Sequence, residues 1–436
     1  MKNSKKIVVV GAGAAGLYVG CLLKEADYEV VVLEADERVG GRIWSQVVEG
    51  QALEMGAEFV HGHSHLLYDF FIKNKVKLYP EGETFFAYQQ KVCALSELEK
   101  EPQMGDLIGD FLEFYQGHHR YRGEDISAFD FVKKTVLATY QEEEWKKVLP
   151  YYESFAGMMG TSLSNLGMKS LAMASHRWSV GEENYRLAVP YQDFLAHMID
   201  FLEENLHLKK VVRHLSYQEE AGVEVITEAG ERFWADAAVL TVPLSILKKN
   251  FITFNPILPE KKRNAIEKIG FGDAAIKVLM QFSTAFWNEE MDALIGTETA
   301  QEYWVSSFRK PNTRPTLTAF IMGEKASTMS KLEDEGKLNL LLAELDALFG
   351  KENEVLPSKR IEKYWVCDWA KKPYIGGSYS YPSPDSHFER YHLAAPIEKR
   401  VFFAGEATHT AGHFATVFGA LETAERAFEE INSCHS

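Results

Sequence analysis

Residues 5–25 read Lys5-Lys-Ile-Val-Val-Val-Gly11-Ala-Gly13-Ala-Ala-Gly16-Leu-Tyr-Val-Gly20-Cys21-Leu-Leu-Lys-Glu25. Lysines followed by an uncharged run resemble a secretory signal, and Tyr18-Val-Gly-Cys21 resembles a lipoprotein cleavage box. Gly11-x-Gly13-x-x-Gly16 is instead a dinucleotide-binding fingerprint. A spanning helix needs about 20 apolar residues, whereas Ile7–Leu23 is seventeen long and holds four glycines. In a helix interior each glycine costs about 1 kcal/mol relative to alanine. In a strand–turn–helix they fit: Gly11 turns the chain, Gly13 lets backbone approach a pyrophosphate, and Gly16 lets helix and strand pack closely. Lys6–Val10 is β-branched, as a buried parallel strand requires. A helix over Ala14–Ala26 then points its free N–H groups at phosphate. A second strand, Glu29–Leu33, ends at Glu34, 18 residues beyond Gly16, where a ribose hydroxyl partner belongs. The spacing therefore predicts an α/β protein with a Rossmann-type domain.

The chain has 436 residues, 46% hydrophobic and 25% charged, which predicts two domains at roughly 100–200 residues each. A formal charge of −16 argues against a nucleic-acid partner, because phosphate binding needs clustered Lys and Arg. Cys21, Cys93, Cys367 and Cys434 are widely spaced and give neither a disulfide framework nor a zinc pattern. The expectations are a cytoplasmic protein with no resident metal and no membrane partner; oligomeric state is left open.

The fingerprint does not separate FAD from NAD. Arg38-Val-Gly40-Gly41-Arg42-Ile-Trp-Ser45 does so better: two glycines permit close approach, and Arg42 offers a planar fork to a diphosphate. With this block the chain resembles the flavin-containing amine oxidases, which include polyamine and monoamine oxidases, L-amino-acid oxidases and lysine-specific histone demethylases. Met55-Gly56-Ala57-Glu-Phe-Val-His61-Gly62 is similar to a segment of animal polyamine oxidases, with Phe59 in place of Trp. Ala235–Leu247, Phe271–Phe282, Trp369–Ser380, Phe403–Thr408 and Ala415–Leu421 extend the resemblance in order. It is closest to polyamine oxidases, specific over 1–62, 233–282 and 364–428, and weak over 80–206.

The resemblance implies an FAD domain gathered from 1–78, 207–270 and 386–436, interleaved with an α+β substrate domain from 79–206 and 271–385. Pattern reading places strands at Lys209–Ser216, Gly222–Thr227, Ala274–Phe282, Thr316–Met322 and Arg360–Trp365. It places helices at Gln141–Gly157, Pro190–Asn205 and Leu332–Leu348.

By resemblance, the FAD contacts are Gly11, Gly13, Ala14, Gly16, Glu34, Arg38, Gly40, Gly41, Arg42, Gly56, Ala57, Val212, Gly405, Glu406, Thr416 and Val417. Glu406 matches the acid that holds the ribityl chain. The helix starting near Thr416 carries about half a positive charge at its N-terminus and suits the flavin N1 and C2 carbonyl. Lys277 is a charge on an otherwise apolar strand. The plain reading is a solvent-facing lysine, and the resemblance makes it the lysine that holds a water at flavin N5. Trp369 and Tyr379 match aromatics of the amine cage, and His61 matches a histidine of animal polyamine oxidases, with His63 and His65 as rivals.

Several positions depart from the family pattern. Ser378 stands where monoamine oxidases link flavin through Cys, which implies non-covalent FAD. Lys372 replaces a common acid. A longer loop leaves open whether His413 or Phe414 takes the second cage position. The sequence thus points to hydride transfer from the carbon alpha to an amine nitrogen, with oxygen as acceptor and a polyamine or related amine as substrate. An L-amino-acid oxidase would need a carboxylate-gripping arginine, for which Arg122, Arg177 and Arg309 are candidates. A flavin-binding protein without turnover is the rival from another class. Desaturases and protoporphyrinogen-type oxidases share the fingerprint.

Overall fold

The computed structural model describes residues 5–102 and 104–435. Lys6–Val10 is the central strand of a five-stranded parallel sheet in the order 206–207, 29–33, 6–10, 237–240, 401–403. Side chains alternate across a strand, and here both faces are covered. Ile7 and Val9 pack on one side with Leu17, Leu23 and Phe418, while Val8 and Val10 pack on the other with Val212, Leu244 and Phe403. Both faces being buried is why the strand carries no alternation of polar residues. Each fully buried Val or Leu contributes about 1.5–3 kcal/mol.

Gly11 has φ +106, and a Cβ there would lie 2.8 Å from Thr241 Oγ1. A Cβ on Gly16 would lie 2.0 Å from the Gly11 carbonyl oxygen. These two contacts explain the glycine spacing at the turn. The helix Ala14–Glu25 follows and packs beside the terminal helix Val417–His435. Phe418, Leu421, Ala424, Ala427 and Ile431 form the buried stripe of that second helix, at the three- and four-residue spacing of an amphipathic face.

A seven-stranded sheet forms the other lobe, in the order 361–368, 275–282, 316–322, 302–305, 291–295, 83–88, 91–94. The helix Asp334–Phe349 covers one face and the helices 105–117 and 142–158 cover another part. A three-stranded sheet of 59–61, 184–187 and 78–80 lies beside it.

The sequence boundaries differ from the structure in instructive places. The expected strand from Lys209 starts at Val212, because Lys209 has φ 58 and the N–H groups of Lys209 and Lys210 donate to the carbonyls of Asp36 and Glu34. The expected helix 190–205 is broken into 3-10 turns at 191–195 and 203–205 around a helix at Ala196–Leu202. The strand expected to end at Trp365 continues to Asp368, paired with Ile276. Among the described residues no helix is long and apolar enough to cross a membrane.

Candidate active site

Arg42, Leu240, Gly405 and Glu406 line one cleft beyond the carboxyl ends of the parallel strands, the position where open α/β sheets take ligands. Among the described residues, a Cβ on Gly13 would meet nothing within 4 Å. One on Gly41 would meet only Gly13 Cα, at 3.6 Å, and one on Gly405 only Thr241 O, at 3.6 Å. Ala14 opens the first helix here, and its early N–H groups have no intrahelical acceptor. Gly40 N–H donates to Ala12 O, which holds the second glycine turn against the first. The cradle is thus backbone, open and rich in donors, and it fits a dinucleotide diphosphate.

The surrounding side chains fix this cradle. Glu34 directly follows the second strand and is 8% exposed, accepting Ala12 N–H at 2.6 Å and Asp36 N–H at 2.9 Å. Burial raises its pKa, and its remaining lone pairs suit a ribose hydroxyl. Arg38 is spent on its own turn, donating to Val39, Gly41 and Ile43 carbonyls and lying over Trp44. Ala57 N–H donates to Arg42 O, and a Cβ on Gly56 would lie 2.0 Å from that oxygen. Val212 begins its strand in the core that covers the parallel sheet.

Glu406 is 4% exposed and joins distant segments. It accepts from Arg42 Nη1 at 2.8 Å, Ser380 Oγ at 2.6 Å, Ser380 N–H at 3.2 Å and Ala415 N–H at 2.9 Å. Burial pushes its pKa up, but Arg42, Ser380 and Arg390 outweigh that, so the carboxylate is held below its ordinary value. Thr416 caps the terminal helix: its Oγ1 accepts Gly419 N–H at 2.9 Å and donates to His413 O at 2.7 Å. Val417 is the first helical residue, and the uncapped N–H groups of this turn form a positive end.

Lys277 is not on a solvent face. It is 3% exposed, and its ammonium donates to Glu54 O at 2.6 Å, Gly56 O at 3.1 Å and Glu58 Oε2 at 2.8 Å, 5.0 Å above the Trp304 ring. Cys367, Lys277, Phe320 and Glu302 are paired across neighbouring strands, so they share one face of the sheet. Phe59, Trp304 and Phe320 pack in sequence with ring centroids 5.3 and 5.2 Å apart.

His61, Phe59, Glu302, Phe320 and Tyr379 are each partly accessible. His61 Nδ1 lies 2.6 Å from Asn184 Oδ1, and Asn184 Nδ2 donates to Glu81 at 2.8 Å. That orientation assigns the hydrogen to Nδ1 and leaves Nε2 as an acceptor. Burial lowers the His61 pKa, which favours the neutral ring, although Asn184 opposes the shift. His63 is exposed against Glu183, while His65 caps the helix Leu66–Lys73 and stacks on Phe418 at 4.0 Å. Burial, reinforced by Glu81 and opposed by Arg186, pushes the Glu302 carboxyl up to about 8. Tyr379 donates to Met158 O, and Trp369 Nε1 donates to Met55 O. Both aromatics pack around Met55, Leu279 and Met322.

His413 and Phe414 are not brought to these aromatics. His413 Nδ1 is 2.8 Å from Glu422 Oε2, beside His409 Nε2 at 2.7 Å from the same oxygen. Phe414 lies under the Arg390 guanidinium at 3.7 Å. Donor atoms of His409, His413 and Glu422 lie within 4.8 Å of one another, as a metal would require. However, His409 Nδ1 accepts the N–H groups of Ala411 and His413, which puts its hydrogen on Nε2, facing Glu422. The cluster is a hydrogen-bonded clamp on the loop before the terminal helix.

A buried charge chain lies behind Lys277 that no short motif in the sequence marks. Arg186 is 1% exposed, with Nη1 2.7 Å from Asp292 Oδ1 and Nε 3.6 Å from Glu58 Oε1. Glu58 was visible as a charge inside the Gly56–Gly62 block, whereas Arg186 and Asp292 sit in ordinary-looking strands. Of the other arginines, Arg122 donates to the His119 and Tyr121 carbonyls, Arg177 to Thr410 O, and Arg309 pairs with Glu290 on the surface.

Comparison with known proteins agrees with this geometry. A model of flavin-containing amine oxidoreductases matches residues 14–432. A polyamine oxidase of Oryza sativa subsp. japonica is 28% identical over 98% of this chain and 89% of its own length. Polyamine oxidase 2 of Arabidopsis thaliana is 28% identical over 98% and 88%. A lysine-specific histone demethylase homologue of Arabidopsis is also 28% identical, but the chain spans 58% of that protein. A solved putrescine oxidase with bound putrescine superposes with TM-score 0.80 at 21% identity, covering 99% of both chains. The chain therefore belongs to the flavin-containing amine oxidoreductases and shares their two-domain fold, and it is a flavin-dependent oxidoreductase acting on amines.

Proposed function

We propose that the protein is an FAD-dependent oxidase of diamines or polyamines, with FAD bound non-covalently and oxygen as acceptor. The observation that carries the substrate class is the Lys277–Phe320–Glu302 row. Two strand spacings, on the order of 10 Å, separate the lysine from a half-enclosed carboxyl. Glu81 reaches the same region through Asn184 and His61. A substrate with a second cationic nitrogen would find carboxylates there. That cation would stabilise the Glu302 carboxylate, so the acid would release its proton to solvent although burial otherwise favours the neutral form. The relatives named polyamine oxidase and the putrescine-bound fold relative support the same class.

In this reading 1–78, 207–270 and 386–436 hold the dinucleotide, and 79–206 with 271–385 form the amine chamber. The glycine cradle, Glu34 and Arg42 would hold the diphosphate and ribose. Glu406 and the Thr416–Val417 turn would hold the remainder. Ser378, a poor nucleophile beside Gly272 O, is consistent with a non-covalent group. A bound flavin supplies the hydride acceptor and passes the electrons to oxygen. The protein orients the amine between Tyr379 and Trp369 and excludes water. Its apolar walls favour the neutral reacting nitrogen, and Nε2 of His61 accepts from the substrate.

The arginine placements disfavour an amino acid, since Arg186 is committed to Asp292 and Glu58. Product analysis tests the proposal. Putrescine or spermidine should yield an aldehyde and hydrogen peroxide in equal amounts, and a 2-oxo acid from L-amino acids would refute it.

A further inference from the structure

Lys277 has three N–H donors, and all three are engaged by the segment Glu54–Glu58. Two acceptors are backbone carbonyls, fixed by the turn. The third is a side-chain carboxylate with an alternative. Among the described residues, buried Glu58 Oε1 and Arg186 Nε have no hydrogen-bond partner, and they face each other at 3.6 Å. Arg186 is anchored by Asp292 and lies over Phe59 at 4.5 Å. The charges alternate along the chain from Lys277 through Glu58 and Arg186 to Asp292, with side-chain exposures of 4%, 2%, 2% and 2%. Burial pushes the Glu58 carboxyl up, but Lys277 and Arg186 outweigh this and hold it at about 2, so it stays ionised at working pH.

We infer that Glu58, braced by Arg186 and Asp292, is the positioning residue that sets where the Lys277 ammonium points and whether it has a donor to spare. A small shift of Glu58 toward Arg186 Nε closes one ion pair and frees one N–H of Lys277. A shift back takes that N–H up again. Neither backbone carbonyl offers such an exchange. The inference rests on the proposed flavin-side role of Lys277.

The test is a double-mutant cycle on holoenzyme. Glu58→Gln, Lys277→Met and the double variant are photoreduced without amine and mixed with oxygen, and their flavin midpoint potentials are measured by reductive titration. Glu58→Gln should slow reoxidation about tenfold, less than the roughly 100-fold of losing a preorganised donor outright, and move the potential to more positive values. Both effects should shrink in the Lys277→Met background. Equal effects with and without Lys277 would overturn the inference. If Glu58→Gln retains too little flavin, Asp292→Asn removes the brace and leaves the Lys277–Glu58 bond. It should move both readouts in the same direction by less, and no change would also overturn the inference. Photoreduction bypasses substrate, so a holoenzyme that no amine reduces fails the functional proposal without deciding this one.

Discussion

The proposed nucleotide cleft and the proposed amine chamber solve opposite problems. The cleft is made of local backbone: two glycine turns, two helix N-termini and a carboxylate, Glu406, whose bonds are all satisfied by Arg42, Ser380 and Ala415. The chamber is made of side chains from strands far apart in sequence. Its acids Glu302 and Glu81 are pushed toward neutrality by burial, and among the described residues buried Glu58 Oε1, Arg186 Nε and Trp304 Nε1 have no hydrogen-bond partner. A site that holds one resident group can be fully satisfied in advance. A site that binds, converts and releases must keep part of its hydrogen-bonding capacity in reserve.

Breaking the cleft should have the largest effect, and two glycines separate its two functions. Gly16→Val drives a side chain into the Gly11 carbonyl and should cost both folding and flavin. Gly13→Val projects into open space, so thermal stability without flavin should stay near wild type while flavin binding is lost and the ratio of flavin to protein absorbance falls to that of the apoprotein. If both variants bind flavin normally, the cradle has been placed wrongly.

On the chamber side, Lys277→Met should slow flavin reoxidation about 100-fold, the loss expected for a preorganised charge in a water-poor site. Stopped-flow mixing with oxygen reads this directly. Glu302→Gln should raise KM for putrescine or spermidine by about tenfold to 100-fold, as for a lost charge-assisted hydrogen bond of about 1.5–3 kcal/mol. A monoamine should be affected much less. The same acid sets a pH dependence. Its folded pKa is raised, so its contribution to stability is full below the ordinary carboxylate value and is lost as pH rises through about 8. Ionisation favours a cationic ligand, so binding of a non-oxidisable dication should tighten as pH rises toward 8 and become flat in Glu302→Gln. Glu406 has the opposite sign. Its folded pKa is lowered, so its stabilisation is present above the ordinary carboxylate value and is lost as pH falls through the folded one. Flavin retention should therefore decline in acid.

The smallest effect belongs to the histidine clamp. Glu422→Gln removes the charge from the acceptor shared by His409 and His413 and should cost about 0.5–1.5 kcal/mol of stability by denaturant titration, with flavin still bound.

The same contrast explains what could be read from the sequence. Gly11, Gly13, Gly16, Glu34 and the Arg38–Ser45 block carry their meaning in short spacings, because backbone turns and helix starts are local. Lys277 stood out as a charge on an apolar strand, but nothing local distinguished a solvent face from the buried cage of Glu54, Gly56 and Glu58. His61 could not be separated from His63 and His65 until the fold turned His65 into a helix cap and left His63 on the surface. Arg186, Asp292 and Glu302 gave no signal, since their meaning arises only where three strands meet. Element ends shifted where tertiary bonds overrode propensity, as at Lys209 and Lys210.

The proposed activity is oxidation of a di- or polyamine by this cleft and chamber together. Its most direct test is anaerobic stopped-flow mixing of the flavin-loaded protein with putrescine, spermidine, spermine, an arylalkyl amine, L-amino acids and NADPH, followed at the flavin absorbance band. Rapid bleaching by one or more of the aliphatic di- and polyamines is expected, and none by NADPH. Bleaching by L-amino acids or NADPH alone, or by no member of the panel, would contradict it.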